Sequence, residues 1–475
     1  MKNISLIFSS ILVLTLGACK KVIDVRETDF IGGDIALKTV ANNEAGVIGA
    51  YAIMNPEMSI LFNAVMSDEL KVGEFYNAAT VHEWQFTSTD ITIRDQFTAI
   101  TTWYSVIDRV NRVLQALPKA DSMKVGDNTL RAKIRGEALF IRAYAHFELF
   151  RFYAGNYDPA GLAMPYREVP SLQGDARITM EPYFQKLRAD LTESKTLLPA
   201  LSADRARANK IAAAGLQARV ALYMKDWEIA KTAATEYITA LPLANIAAFP
   251  LIWTDSVNTE VAFKLRRTPT AGGRIGSLFR GTSASAANIG TVVWLPSSKL
   301  INSYDSTNDV RFSSYFLNET RLASAGRPSL IIKKYAGTTY GTPNENVADA
   351  KVFRTAEMYL IRAEARAETN DLDGAAADIN ALRAARITGY TPMTFTSKEQ
   401  AISEILLERY RELAFEGHRF WDLKRKNLPV ERLPADAPNA TSVTLPAGNF
   451  RFLLPIPNFE IQANPLIQQN PGYTN

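Results

Sequence analysis

The sequence predicts a mainly α-helical fold: helices paired and stacked as an α-solenoid, a large irregular loop-rich insertion, and a few short strands. Three observations predict it. From Ala36 to about Pro242 apolar residues recur at helical spacing with few β-branched runs. Three of these stretches stop alike, at Leu117-Pro118, Leu198-Pro199 and Leu241-Pro242, where proline cannot continue a helix. Between about Leu243 and Ala350 glycine, serine and threonine replace that pattern, and helical text returns at Phe353.

In order along the chain, the first feature is Lys2 followed by an apolar run from Ile4 to Leu16, too short to span a bilayer as a helix. This is the layout of a signal peptide, residues 1–18. The single cysteine, Cys19, follows Leu16-Gly17-Ala18, a run that resembles a bacterial lipobox, which makes Cys19 the expected lipidation site. Several acyl chains hold a protein on a membrane stably where one does not. A lone cysteine also excludes an internal disulfide or a thiolate metal cluster.

The clearest helix carries Ile134, Ala138, Ile141, Ala145, Leu149 and Phe152 as one apolar stripe, with Arg135, Arg142 and Arg151 on its other sides. Further on, Ala218, Ala230 and Pro242 are spaced like the small residues and closing proline of a tetratricopeptide repeat, with Lys225-Asp226-Trp227 as the turn. A second copy reads Ala363, the turn Asn370 to Asp373, and Ala375, with Ile387 in place of the proline. In the insertion, Val292 to Leu295 and Leu330 to Ile332 are the strand candidates. Its aromatics, Trp253, Trp294, Tyr304, Tyr315, Tyr335 and Tyr340, mark it as the place to seek specificity, because loops on a rigid scaffold carry it. Ser397 and Gln400 form a capping-box signature that opens a helix through Ile402, Leu406, Tyr410 and Leu413, with Gly417 as its stop. The proline-rich tail, Leu454 to Pro457 and Gln469 to Tyr473, reads as an extended closing strap.

Composition narrows the function. The chain is 47% hydrophobic and 21% charged, with a formal net charge of +4. Its basic and acidic residues are interleaved, without the Lys/Arg run that tracks a nucleic-acid backbone. The sequence contains no nucleophile elbow, phosphate loop, dinucleotide fingerprint or zinc-protease motif, so no enzyme and no cofactor is expected. His82, His146 and His418 fall in three separate segments and predict no metal site. The pair Glu408 and Glu412 sits one helical turn apart among Arg409, Arg411, Arg419 and Arg425, which predicts a structural ion-pair network.

Residues Ile405 to Arg425, reading ILLERYRELAFEGHRFWDLKR, resemble the C-terminal signature of the SusD/RagB family, lipid-anchored nutrient-binding proteins of Bacteroidetes-type outer membranes. Arg135 to Leu149 is similar to that family's first long helix, Arg354 to Ala365 to its third repeat, Leu454-Pro-Ile-Pro457 and Gln469 to Tyr473 to its end, and Cys19 to Val25 to its start. The resemblance implies a SusD-like N-terminal helical region over 19–245 and a RagB/SusD C-terminal region over 246–475, with variable ligand-binding loops at 246–350. It implies a SusC-like TonB-dependent transporter as partner, and a cell-surface lipoprotein that delivers oligosaccharides, or in some members peptides. It also implies that Glu408, Glu416, Arg419 and Asp422 are structural. Lys20 and Lys21 depart from the acids that surface-exported relatives often carry after the anchor. A sugar offers a C–H face to aromatic rings and hydroxyls to amides. Tyr76, Asn77, Trp84 beside Gln85, Trp294 and Tyr315 are the expected ligand contacts on that ground. Competing readings are a protein-interaction scaffold using the solenoid groove and a glycosidase, which the missing catalytic pair disfavours.

Overall fold

The computed structural model describes residues 36–270, 274–283 and 288–474; the expected signal peptide and Cys19 lie outside them. The long helices are α1 (Val40–Ile53), α2 (Pro56–Met66), α3 (Ala99–Ala116), α4 (Asp127–Tyr153), α5 (Met180–Leu197), α6 (Lys210–Met224), α7 (Trp227–Ala240), α8 (Thr355–Glu368), α9 (Leu372–Ala384), α10 (Lys398–Glu412) and α11 (Arg419–Arg425). Neighbours from α3 to α7 pack on one another in chain order. After the insertion the stack resumes: α7 packs on α8, and α8 carries α9 and α10. The mainly helical, paired architecture is therefore the observed one.

The turns follow from local chemistry. Lys225 adopts a left-handed backbone (φ 59°), and the Asp226 carboxylate caps α7 by accepting from the Ile229 N–H. Asn370 (φ 63°) and Asp371, whose carboxylate accepts from the Gly374 N–H, repeat the device between α8 and α9. Ala218, Ala230, Ala363 and Ala375 are all buried at the crossings, as their spacing predicts. Ser397 caps α10 through the Gln400 N–H, while the Gln400 amide reaches back to the Thr396 N–H.

Helix α4 departs from its expected exposure. It is buried on nearly every side, so Arg142 and Arg151 lie inside, not on a solvent face. Arg142 forks onto Asp190 of α5, and Arg151 pairs with Glu148. A guanidinium is tolerated there because its planar donors meet a carboxylate of matching shape.

The insertion contributes strands to short two-stranded sheets. Strand β1 (Leu70–Val72) pairs antiparallel with β3 (Trp294–Pro296), β2 (Val261–Leu265) with β6 (Ala350–Arg354), and β4 (Phe316–Asn318) with β5 (Leu330–Ile332). Most of the insertion's aromatics join the main core of the helical stack, and Tyr340 packs in a small separate cluster. Trp253, Tyr304, Tyr315, Tyr335 and Tyr340, aromatics of the region expected to carry specificity, are buried. Trp253 packs edge-on against Tyr315 and Tyr335, and the Lys334 ammonium sits over the Trp253 and Tyr315 rings at 4.2 and 3.8 Å.

Buried charge locks this insertion to α10. Glu412 accepts from Arg386, Arg354 and Arg311; Glu408 from Arg311 and Arg383; Glu416 from Arg354 and Lys334. Glu260 joins Arg354 to Arg386. The predicted network exists, but its cations come chiefly from distant segments. Arg409 and Arg425 turn instead to Asp422, and Arg419 to Asp68. The tail is a strap broken by one short helix, Asn458–Ala463, and it is tied to α4 where the Leu454 N–H donates to the Phe152 carbonyl.

Candidate functional site

The site is built where β1 and β3 end. Gly73 continues the pairing by donating to the Val293 carbonyl at 2.7 Å, and Glu74 donates to that of Val292 at 3.0 Å. A Cβ on Gly73 would press into the Val292 carbonyl oxygen, so only glycine permits this approach. The chain then turns through Phe75 (φ 53°) and Ala78 (φ 24°) and later through Trp84 (φ 55°). Left-handed backbone at three such residues is held by the surroundings, a pattern concentrated at functional loops.

Three anchors hold the loop. The Glu74 carboxylate accepts from Arg327, whose other N–H groups reach the Ile289 and Gly290 carbonyls. The Tyr76 hydroxyl accepts from the Ala79 N–H and donates to Glu83, each at 2.9 Å, and Glu83 also accepts from the Asn439 amide. Beneath them Arg432 is buried and donates to the carbonyls of Val65, Ser67, His82 and Ser442. Burial pushes its guanidinium down to about 9. His82, with Nδ1 2.7 Å from the Val65 carbonyl, is pushed down to about 3 by burial and by Arg432, so its ring is neutral at neutral pH.

On this support sits an aromatic surface. Tyr76 and Trp294 are half-buried and meet edge to face at 6.0 Å; His82 meets Trp294 at 4.9 Å and Tyr76 at 6.1 Å. Phe75, 84% exposed, and Asn77, exposed, flank them, with exposed Val293 on the strand side. The arrangement offers ring faces and edges beside an amide on a frame with little freedom left to lose, which lowers the entropic cost of holding a ligand.

Of the expected contacts, the structure brings Tyr76 and Trp294 together, with exposed Asn77 next to Tyr76 in the chain. It removes two. Trp84 is buried under Arg432, 4.0 Å from its ring, with its indole N–H donated to the Met66 carbonyl. Tyr315 is fully buried in the main core and donates its hydroxyl to the Glu412 carbonyl. Neither ring can reach a ligand. Phe75 went unpredicted although it adjoins Tyr76; the signal was two aromatics followed by an asparagine just past a glycine. The other histidines are also packed: His146 stacks on Tyr166 at 3.8 Å, and His418 is buried at the start of α11.

Cavities lie elsewhere on the body. One of about 600 Å³ lies between α5, α6 and the start of α7, and one of about 670 Å³ lies against α10 and α11. The aromatic surface is open, which suits a flat ring or an extended chain.

A paired-helix stack with a rigid aromatic surface on its loops defines a helical binding body. The family model described as starch-binding, associating with the outer membrane, matches residues 33–222, and the SusD family model matches residues 292–473. Over 98% of both chains the sequence is 25% identical to SusD-like protein P2 of Formosa agariphila. A SusD superfamily protein from Bacteroides thetaiotaomicron superposes with a TM-score of 0.79 at 24% identity, covering 91% of this chain and 100% of that one. A laminarin-binding SusD-like protein superposes at 0.73 with 21% identity, covering 92% and 100%. The chain belongs to the SusD/RagB family.

Proposed function

We propose that this protein is a cell-surface lipoprotein that binds oligosaccharide on the Phe75, Tyr76, Asn77 and Trp294 surface and delivers it, uncleaved, to a SusC-like TonB-dependent transporter of the outer membrane. Residues 1–18 direct export, Cys19 carries the acyl anchor, and the helical region of 19–245 presents the first half of the surface. The region of 246–475 supplies Trp294 through its loops at 246–350. What carries the reading is the open aromatic surface, with an amide beside it, in a chain of a starch-binding family. Aromatic planes take the C–H faces of pyranose rings, and amides take hydroxyls.

Titration calorimetry against laminarin, starch and other glycan fragments, with peptides alongside, tests it. Phe75→Ala and Asn77→Ala are each expected to weaken saccharide binding about tenfold, a loss of roughly 1.4 kcal/mol, without changing the melting temperature. Heat from peptides alone would overturn the glycan assignment. No heat from any ligand, with a protein partner still retained, would favour the scaffold.

A further inference from the structure

The segment joining α3 to α4 has an exposed tip with no role in the surface described above. Met123 is 72% exposed and Val125 fully so, flanked by exposed Lys119 and Lys124, with Asp121 the one exposed acid between them. The tip is built, not loose. The Asp127 carboxylate accepts from the N–H groups of Met123 (2.6 Å) and Lys124 (2.9 Å). Arg131 gathers the carbonyls of Leu117 and Ala120 and the Ser122 hydroxyl. Gly126, at φ 94°, closes the turn. A fixed turn that holds two apolar side chains in water gains nothing from them within this chain.

The same turn receives the beginning of the described chain. Asp121 donates its N–H to the Lys38 carbonyl at 2.8 Å, and its own carbonyl accepts from the Val40 N–H at 3.2 Å. Residues 20–35 separate Cys19 from Ala36, so covalent geometry keeps these two within about 60 Å of each other. Exposed Lys38 adds a third cation at this edge.

We propose that the Lys119–Gly126 turn is a second membrane contact, with Met123 and Val125 inserted at the headgroup boundary and Lys38, Lys119 and Lys124 on anionic lipid. Apolar tips ringed by lysine suit that boundary, where apolar groups leave water while ammonium groups stay at the surface. The proposal rests on the reading of Cys19 as the anchor. A second contact besides the anchor fixes which face points away from the bilayer.

The test uses the acylated chain on phosphatidylethanolamine–phosphatidylglycerol vesicles. Cys19 being the only native cysteine and blocked by lipid, Val125→Cys or Met123→Cys introduces a unique thiol for a polarity-sensitive dye. Expected are a shift of emission to shorter wavelength on vesicles and quenching by spin-labelled lipid at both positions, with a Phe75→Cys label unaffected. An aqueous spectrum at both positions on a chain whose mass shows the acyl group overturns this proposal alone. A chain without acyl mass, or a response only in membranes containing the transporter, overturns it too; the first also removes the anchor, and the second makes the turn a protein contact.

Discussion

Replacing Glu412 by glutamine removes one negative charge from among three guanidinium groups and changes almost nothing in volume. Arg386, Arg354 and Arg311 all donate to this carboxylate, which they hold well below the usual carboxylate range despite complete burial. Breaking a buried pair from one side costs about 3–5 kcal/mol, because the remaining charge stays desolvated. Each arginine keeps another acid, Glu260 for Arg386, Glu416 for Arg354, and Asp309 for Arg311, which puts the loss near the lower figure. For a chain of this length the entropy of unfolding is on the order of 1 kcal/mol/K, so the melting temperature should fall by about 3 °C. Thermal unfolding followed by circular dichroism at pH 7 reads the shift, and glycan titration of the same protein should show unchanged affinity. An unchanged melting temperature would refute the structural role of the network. Lost saccharide binding with stability intact would make Glu412 a contact.

Cys19→Ala should move the protein from the membrane to the soluble fraction; retention after that change sinks the anchor. Gly73→Ala should cost about 2 kcal/mol or more by forcing β1 from β3 and should weaken binding as well, since it displaces the Phe75–Asn77 turn; unaltered binding would show that the turn is not positioned by that strand end. Burial raises Glu69 from its ordinary 4.5 to about 8, although it accepts from the Phe415 N–H. The folded chain therefore binds one proton more than the unfolded chain between those values, and this group's contribution falls as pH rises from 4.5 to 8. Glu69→Gln should gain stability relative to the natural chain across that window, and a pH-independent difference in denaturant unfolding would contradict it.

Periodic features were legible and buried polar ones were not. The helix stops at proline, the alanine crossings and the Ser397 cap announce themselves within a few residues, because local geometry decides them. Exposure in the insertion was not readable, since it depends on what folds over it. Trp294 and Tyr315 look alike in sequence, yet one edges a surface strand and the other lies under α10. Likewise Arg409 stands beside Glu408 and Glu412 in the chain yet pairs with Asp422, and the closest cations of those acids are Arg311, Arg354, Arg383 and Arg386. Long-range pairing of like residue types carries no period to read.

The insertion leaves the helical stack and returns to it at nearly one point: the Thr355 hydroxyl donates to the Leu241 carbonyl at 2.8 Å. Any segment exchanged for what lies between would have to refill the shared core, where Phe263 meets Phe140 of α4 edge to face at 5.3 Å. The substitute would also have to bring its own cations to stand where Arg311, Lys334 and Arg354 meet the acids of 408–416, or three carboxylates would be left in the interior short of countercharge. Diversification of this segment in such a molecule is thus freer in its exposed rings and amides and constrained in three buried cations.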